Sequence, residues 1–251
     1  MSEAPRKVAI LGATSTIAEA CARAWAARGD VELFLAARRA DELDAIARDL
    51  GVRGAGRVAT WAGDLADAGR HPDLLAILDR DLPRPDAVLL AWGTLTDQDR
   101  AEAEPGYAQA ELATNFMAPA SLLLALALRV AAPGGVIACI TSVAGDRGRQ
   151  SNLVYGAAKG GLQRLLEGLR HRLHGKGVAV LDIRPGFVAT RMTEHLPNRK
   201  GPLWATPDQV ARDILRAVDR RGAVLYTPWF WRWIMLAVRN VPRPLLHRTK
   251  L

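Results

Sequence analysis

The chain has 251 residues, of which 49% are hydrophobic and 24% are charged, and its formal net charge is +8. These values are ordinary for a soluble globular protein and suit one α/β domain with a sizeable core, so a second domain is not required. No apolar run reaches the roughly 18 to 20 residues that cross a bilayer, which excludes a membrane-spanning protein.

The positive charge is concentrated after Asp219, where no acidic residue occurs. Seven basic residues follow that position: Arg220, Arg221, Arg232, Arg239, Arg243, Arg248 and Lys250. Without these seven, 27 of the 34 basic residues remain against 26 acidic ones, so the body of the chain carries a charge of +1. A nucleic-acid-binding fold would carry its charge along the recognition face, and we therefore expect no nucleic-acid partner.

The cysteines and the N-terminal residues indicate a reducing, cytoplasmic location. Cys21 and Cys139 lie in apolar patterns without disulfide or metal-ligand spacing, so we expect two small buried residues. The first residues, MSEAPRKVAIL, lead straight into a strand and contain no signal-peptide apolar region. His171 and His174 share one side of a helix without a nearby carboxylate or cysteine, which predicts a solvated pair and no metal site.

Short apolar runs alternate with helical patterns along the whole chain, which predicts a parallel sheet with crossover helices. The expected fold is a doubly wound α/β domain of the Rossmann type. Strands are predicted at 7–11, 31–37, 57–61, 86–91, 135–140, 178–183 and 223–227. Helices are predicted at 16–28, 40–50, 72–80, 107–131, 152–174 and 207–220. This domain is assigned to 1–228, and 229–251 form a basic, aromatic C-terminal segment.

The first strand is followed by a turn of small residues, GATSTIA, and then by an alanine-rich helix. A glycine that leaves a strand, small residues in the turn and a helix N-terminus together form a site for a pyrophosphate. Small residues are common in such turns, but this is the first strand-turn-helix unit of a doubly wound pattern. The candidate cofactor contacts in this turn are Gly12, Thr14, Ser15, Thr16 and Ile17.

The end of the second strand predicts which dinucleotide is bound. A site for NAD usually places a carboxylate about 20 residues beyond the glycine turn, to bind the ribose 2′-hydroxyl. Here Arg38 and Arg39 occupy that region, and the first carboxylate is Asp41 at the start of the next helix. Two arginines suit a 2′-phosphate, which favours NADP(H), with NAD(H) as the other possibility. The alternative interpretation is a solvated pair of charges.

The ends of the third and fourth strands supply three more candidate cofactor contacts. Asp64, followed by Leu65, could accept a hydrogen bond from the adenine amino group. Gly93 would let the backbone lie directly against the cofactor. Both positions follow strands, where open α/β sheets bind their ligands.

The stretch from 141 to 161 carries the candidate chemistry. Ser142 ends the strand VIACI, and Tyr155 and Lys159 are four residues apart on one helix face. A free tyrosine titrates near ~10, and an adjacent ammonium lowers that pKa, as a tyrosine general acid or base requires. Ser142 could bind the same substrate oxygen. A tyrosine–lysine pair at this spacing is more often a surface pair, but Gly156, Gly160 and Gly161 indicate close approach by a cofactor or a second helix.

Taken in order, these motifs resemble the short-chain dehydrogenase/reductase family across at least residues 7–195. The resemblance implies that Tyr155 transfers the substrate proton, that Ser142 positions the carbonyl or hydroxyl, and that Lys159 holds the nicotinamide ribose. It also implies that Asn115, in ATNFMAP, holds a water in the proton relay. Further residues would cradle the nicotinamide: Pro185, Gly186, Val188 and Thr190.

The chain departs from the family pattern at two places. Thr16 and Ala18 stand where the family has its second and third glycines, and the threonine crowds the pyrophosphate approach. The family's Asn-Asn-Ala-Gly after the fourth strand is Leu-Ala-Trp-Gly here, which puts the indole of Trp92 beside the cofactor. Neither departure touches the proton-transfer residues, so a particular subgroup is indicated.

That subgroup resembles the decaprenylphosphoryl-2-keto-pentose reductases. The similarity rests on GATSTIA, the AWG turn, RPGFVATRM and the ending WFWRWIMLAVRNVP, and it implies a lipid-linked or otherwise amphiphilic keto substrate. Two alternatives remain open: a ketoacyl-carrier-protein or general carbonyl reductase, whose acidic carrier could dock on the basic tail, and a scaffold that binds a dinucleotide without turnover.

The C-terminal segment contains three of the seven tryptophans within five residues, at 229–233. Arg232 and Arg239 share one helix face, and most of the remaining surface is apolar. Such a helix could lie at the inner face of a membrane and admit a lipid-linked substrate, or it could pack on the substrate pocket or a dimer partner.

Two further expectations concern a lid and an assembly. The irregular region 192–206 is predicted to be a flexible lid over a substrate pocket, with a plain surface loop as the alternative. The helices at 107–131 and 152–174 look like the dimer surface of the family, which implies a homodimer or homotetramer, or they only cover the sheet.

Overall fold

Seven parallel strands form the central sheet of the computed structural model, which describes residues 6–195 and 201–249. The strands are β1 Lys7–Leu11, β2 Glu32–Ala37, β3 Arg57–Ala62, β4 Ala87–Leu90, β5 Val136–Ile140, β6 Ala179–Pro185, β7 Phe187–Val188, β8 Trp204–Ala205 and β9 Val224–Thr227. The sheet order is β3-β2-β1-β4-β5-β6-β9, and β7 and β8 form a separate parallel pair. The doubly wound fold is therefore confirmed, and every predicted main strand lies within two residues of its observed bounds.

Helices cover both faces of the sheet. They are α1 Thr16–Ala26, α2 Ala40–Val52, α3 His71–Asp81, α4 Gln98–Ala103, α5 Pro105–Leu112, α6 Ala118–Leu126, α7 Leu153–His174, α8 Pro207–Asp219, α9 Trp231–Asn240 and α10 Arg243–Leu246. Buried side chains of α1, α2 and α8 form one core with the sheet, and those of α3, α6 and α7 form the other. In β1, Val8 and Ile10 face the first core while Ala9 and Leu11 face the second, which explains why the strand reads as an unbroken apolar run.

The strand order reverses between β1 and β4, so their carboxyl ends diverge and leave a crevice. The Gly12 turn follows β1, Gly93 follows β4 and Ser142 follows β5. Parallel strands bring these three turns to one edge of the sheet, which places the candidate cofactor and catalytic residues together.

The predicted helix 107–131 is wrong in its length and continuity. The chain forms α5, a π-helical turn at Ala113–Met117 and α6, which ends at Leu126. Pro119 has no N–H group, so the carbonyl of Asn115 lacks its usual donor four residues on, and the helix widens around Asn115. Sequence periodicity did not predict α4, α10 or the β7–β8 pair because each is short.

The predicted C-terminal segment 229–251 contains α9, which packs on the body of the protein. Trp231 and Met235 are buried against Val143, the residue after the candidate serine. In the predicted lid 192–206, β8 lies near the C-terminal end and pairs with β7, while residues 196–200 lie outside the described ones. Flexibility of the lid stays a prediction.

Both cysteines are buried and free, as expected. Burial raises the pKa of Cys139 to about 12, so its thiol is neutral and unreactive at physiological pH. Within 6–195 and 201–249, no helix combines the length and apolar character that a membrane span needs.

Candidate active site at the carboxyl edge of the sheet

Lys159 lies between the end of β5 and Tyr155. Its ammonium is buried, with Nζ 3.4 Å from the carbonyl oxygen of Ile140 and 5.7 Å from the centroid of the Tyr155 ring. Among the described residues that long bond is the one hydrogen bond made by Nζ, although an ammonium can donate three. The remaining donors fit the hydroxyls of a ribose, and the buried charge stands close enough to act on the tyrosine.

Ser142 is positioned by a loop that packs backbone to backbone on α7. Its hydroxyl accepts a hydrogen bond from the N–H of Ala144 at 3.1 Å. A Cβ on Gly145 would stand 2.6 Å from the nitrogen of Gly160 and 2.7 Å from the carbonyl carbon of Lys159. Gly160, at the start of α7, therefore allows the loop of Ser142 to approach the helix. Gly161 allows the ring of Phe116 to approach the same helix.

Asn115 lies in the π-helical turn and faces the same space as Lys159. Its Oδ1 accepts from the N–H of Thr94 at 3.1 Å, and its Nδ2 donates to the hydroxyl of Thr94 at 3.0 Å. A Cβ on Gly93 would stand 2.7 Å from Oδ1 of Asn115 and 3.2 Å from Nζ of Lys159. Glycine at this position is thus needed for the amide and the ammonium to converge on one point.

Glu111 is a buried acid that the sequence analysis missed. Its Oε2 accepts hydrogen bonds from the hydroxyls of Thr94 and Thr96 at 2.8 and 2.7 Å, and from Nδ2 of Asn115 at 3.3 Å. A backbone N–H can only donate and a carboxylate can only accept, so Thr94 and Glu111 together fix which way the Asn115 amide points. The signal was a carboxylate four residues before Asn115, on the same helix face.

We expect Glu111→Leu to lower kcat tenfold or more, because it removes the acceptor of the partly buried Thr94 and Thr96 hydroxyls, at about 1–3 kcal/mol each, and frees the Asn115 amide to rotate. Glu111→Gln should stay within about threefold of wild type, since its amide oxygen can take the place of Oε2. Steady-state kinetics and thermal unfolding of both variants measure this. Wild-type kcat in Glu111→Leu would show that the amide needs no support from this acid.

A second set of residues that the sequence did not predict holds the serine loop in place through hydrogen bonds and ion pairs. Arg184 donates to Asp182 at 2.7 Å and to Asp146 at 3.0 Å, and Tyr226 donates to Asp146 at 2.7 Å. Thr141, next to the serine, donates to Asp182 at 2.6 Å. Burial, followed by the hydrogen bond to Asp146, raises the pKa of Tyr226 and keeps it a neutral donor. These residues are distant in sequence, which is why no local pattern revealed them.

The predicted pyrophosphate turn has the expected geometry. Gly12 has φ +90°, and its N–H and that of Ala13 donate to the carbonyl of Ala36 at 2.8 and 3.0 Å. Ser15 caps α1 by accepting from the N–H of Ala18 at 3.2 Å, and Thr14, Thr16 and Ile17 are half-buried at that helix N-terminus. Arg191, which follows Thr190, donates to the carbonyl of Thr14 and so spans the crevice between the two predicted cofactor segments.

The arginines at the end of β2 differ in their partners. Arg39 pairs with Glu42 at 2.5 Å. Arg38 is exposed and makes no hydrogen bond or ion pair within the described ranges. Asp64 is also exposed and accepts from the N–H of Ala66 at 3.0 Å, while Leu65 is buried beside it. Arg38 is thus the more available of the two arginines for an anionic ligand.

The segment from Pro185 to Thr190 is held by the C-terminal helix. The N–H of Gly186 donates to the carbonyl of Thr227 at 3.0 Å, and a Cβ on Gly186 would stand 1.9 Å from Nε1 of Trp231. Val188 is buried in the β7–β8 pair, and Thr190 and Thr193 cap each other at the start of the next turn. Trp231 therefore packs directly on the predicted nicotinamide cradle.

The donors at this edge fit a nicotinamide dinucleotide. The α1 N-terminus offers N–H groups to a pyrophosphate, Lys159 has unused donors for a ribose, and Arg38 is available to a phosphate. In the part of the chain that is described, no group of three or more His, Cys, Asp or Glu side chains could hold a metal ion.

Comparison with known proteins identifies relatives over nearly the full length. The profile of the short chain dehydrogenase family matches residues 6–201. An uncharacterized oxidoreductase of Mycobacterium tuberculosis is 41% identical over 243 residues, covering 96% of this chain and 96% of that protein. An uncharacterized oxidoreductase of Streptomyces coelicolor is 37% identical over 250 residues, covering 97% of this chain and 96% of the relative.

Solved structures show the same fold. A short-chain dehydrogenase from Sphingobium yanoikuyae in complex with NADPH superposes with a TM-score of 0.78 at 24% identity, covering 94% of this chain and 96% of that one. A 3-oxoacyl-[acyl-carrier protein] reductase from Brucella melitensis in complex with NAD has a TM-score of 0.76 at 24% identity, covering 88% and 95%. At these identities the likeness concerns the fold.

Proposed function

This chain belongs to the short-chain dehydrogenase family and is an NAD(P)-dependent oxidoreductase, and we propose that it uses NADP(H) to interconvert a ketone and a secondary alcohol. The observation that carries the proposal is the buried Lys159 ammonium, which has unused donors and lies against Tyr155 and the Asn115 amide. A surface pair would not be buried in this way, and the complete set of Ser142, Tyr155, Lys159 and Asn115 argues against a scaffold without turnover.

In the reductive direction the bound dinucleotide supplies the hydride to the carbonyl carbon. Tyr155 gives its phenolic proton to the carbonyl oxygen, which becomes the hydroxyl of the product, and Ser142 donates a hydrogen bond to that oxygen. Lys159 lies beside the phenolate that remains, and a water proposed near Asn115 returns a proton to it, which solvent then replaces. The oxidative direction reverses each step.

For the substrate, we favour a lipid-linked or otherwise amphiphilic ketone, of the kind that the decaprenylphosphoryl-2-keto-pentose reductases reduce. Exposed aromatic side chains around α9 support an amphiphilic ligand. The alternative is a ketoacyl-carrier-protein or general carbonyl reductase, because the basic tail would suit an acidic carrier. A screen of NADPH oxidation with lipid-linked ketosugars and acyl-carrier ketones separates the two, since only one class should give turnover at micromolar substrate.

Arg38→Ala is expected to raise the KM for NADPH by about 10- to 100-fold, from the loss of a charge-assisted hydrogen bond to the 2′-phosphate. The KM for NADH, which lacks this phosphate, should change by less than about threefold. Arg39→Ala is the matched control and should have the smaller effect, because Arg39 is engaged by Glu42. Equal changes in both KM values of Arg38→Ala would contradict the NADP(H) preference.

We also propose a cytoplasmic protein that touches the inner face of the membrane through α9. The helix packs on the body with Trp231 and Met235, while Trp229, Trp233 and Leu236 are 72%, 59% and 43% exposed. Arginines without acidic neighbours along this segment would attract anionic lipid. The two alternatives of the sequence analysis thus concern opposite faces of one helix.

The double variant Trp229→Ser/Trp233→Ser should bind phosphatidylglycerol vesicles on the order of tenfold more weakly than wild type. Val52→Ser is the control, since Val52 is 89% exposed on α2, far along the chain from α9. Cosedimentation measures the binding. Equal binding of all three proteins would remove the membrane contact from the proposal.

A homodimer or homotetramer is proposed from exposed apolar side chains on α6 and on the residues that flank it. Met117, Leu124 and Leu128 are 62%, 46% and 74% exposed, which is unusual for three neighbouring apolar side chains at helical spacing. Sedimentation equilibrium of the whole protein measures the assembly.

A further inference from the structure

A cavity of about 420 Å³ lies between the loop that joins Ser142 to Tyr155 and the C-terminal segment. One wall is formed by residues 148–150 and Leu153, and the other by Leu246, His247 and Thr249. Nε2 of Gln150 donates to the carbonyl of Thr249 at 2.8 Å, which ties the two walls together. Leu153 precedes Tyr155 by two residues at the start of α7, so one wall of the cavity belongs to the helix that carries the acid/base.

Arg149 lines this cavity near Asp146, whose negative charge partly offsets that of the guanidinium. Its side chain is half-buried, and its Nε is shielded from solvent and has no hydrogen-bond partner. Within the described ranges its guanidinium makes no ion pair, and burial lowers its pKa. Asp146, three residues earlier, already accepts from Arg184, Gln163 and Tyr226. Removing a cationic donor from water without an acceptor is costly, so the position indicates an anionic ligand.

The rest of the lining narrows the chemistry of that ligand. His247 is a second nitrogen donor, and among residues 6–195 and 201–249 no carboxylate side chain lines the cavity. Leu153 and Leu246 add apolar surface beside the donors. The planar guanidinium suits two oxygens of one oxyanion, either a phosphate ester or a carboxylate.

We propose that this cavity binds an oxyanion group, phosphate ester or carboxylate, of an amphiphilic substrate, with Arg149 as its main contact and His247 as the second. The inference rests on the proposed function, because the keto group of the same substrate would lie at Tyr155. It adds a specificity contact that acts at a distance from the reacting carbon.

The test is calorimetric titration of the NADP⁺-loaded protein with octyl phosphate, octanoate and octanol. Wild type should bind at least one of the two anions at least tenfold more tightly than octanol, and the tighter anion identifies the oxyanion. Arg149→Ala should weaken that binding tenfold or more, and Arg149→Lys should lie between, since it keeps the charge but not the fork. Arg164→Ala is the control, because Arg164 lies on the same helix as Tyr155 and is 82% exposed.

Three further readouts separate this role from others. The NADP⁺ dissociation constant of Arg149→Ala should stay within twofold of wild type, and its melting temperature should be equal or higher, because an unpaired buried charge is removed. Binding to phosphatidylglycerol vesicles should be unchanged, since the residue faces a cavity. Equal anion binding by Arg149→Ala and Arg164→Ala, tight octanol binding by wild type, or a matching loss of NADP⁺ or vesicle binding would each overturn the assignment. This test measures binding and not turnover. The anion-site proposal can therefore fail while Tyr155→Phe still abolishes turnover, and the proposed catalytic function can fail while anion binding still depends on Arg149.

Discussion

Tyr155→Phe should lower kcat for ketone reduction by about 10²- to 10⁴-fold, because it removes the only proton proposed to reach the carbonyl oxygen directly. The change deletes one oxygen atom and leaves the ring beside Lys159, so the site should keep its shape. NADPH binding should therefore stay within about twofold of wild type. Stopped-flow oxidation of NADPH and fluorescence titration of the cofactor measure the two effects.

Tyr107→Phe is the matched control for this loss. The Tyr107 hydroxyl accepts a hydrogen bond from the N–H of Asp97 at 3.1 Å, on the surface of the α4–α5 region. The Tyr107→Phe variant should retain wild-type kcat. Unchanged NADPH oxidation by Tyr155→Phe with every ketone tried would mean that another group supplies the proton, and the proposed mechanism would fail.

Gly145→Ala should have the second largest effect on turnover. Its new methyl group would stand 2.6 Å from the nitrogen of Gly160 and 2.7 Å from the carbonyl carbon of Lys159, both backbone atoms of α7. The loop that carries Ser142 must then move away from Tyr155 and Lys159. Overpacking of this kind costs about 1–3 kcal/mol of unfolding free energy. A displacement of the serine should also lower kcat tenfold or more.

Gly148→Ala in the same loop gives the comparison, because a Cβ there meets no atom within 4 Å. It should match wild type in denaturant unfolding and in kcat for a ketone without an anionic group, since Gly148 lines the proposed anion cavity. Gly160→Ala should fall between the two, with its methyl group 3.0 Å from the carbonyl oxygen of Gly145. If Gly145→Ala and Gly148→Ala behaved alike, close packing of the serine loop would have no role in the site.

Sequence patterns predicted the fold well because each strand of the central sheet is a short apolar run that alternates with helices along the chain. The order of turns, strands and helices was enough to place Gly12, Gly93 and Ser142 at one edge. The same patterns failed at 107–131, where a proline four residues after Asn115 replaces regular helix by a wider turn. Helical periodicity is nearly preserved through such a turn, so the interruption left little trace in the spacing of apolar residues.

The support around the candidate site could not be predicted from local spacing. Arg184, Asp146 and Tyr226 come from β6, the serine loop and β9, and only the folded sheet brings them within hydrogen-bonding distance. Arg149 and the C-terminal segment meet for the same reason, across about 100 residues of sequence. Glu111 came nearer to being predicted, because it lies four residues before Asn115 and so shares a helix face with it. A lone glutamate on a predicted surface helix, however, usually faces water.

The contact between Trp231 and Gly186 joins the C-terminal helix to the segment proposed to hold the nicotinamide. Binding equilibria at two sites that share a movable contact are reciprocal. Any partner that shifts α9 on binding must therefore change the affinity for the dinucleotide, and the dinucleotide must change the affinity for that partner by the same factor. A membrane or carrier bound at the tail would then act as an effector of the cofactor site, in addition to delivering substrate.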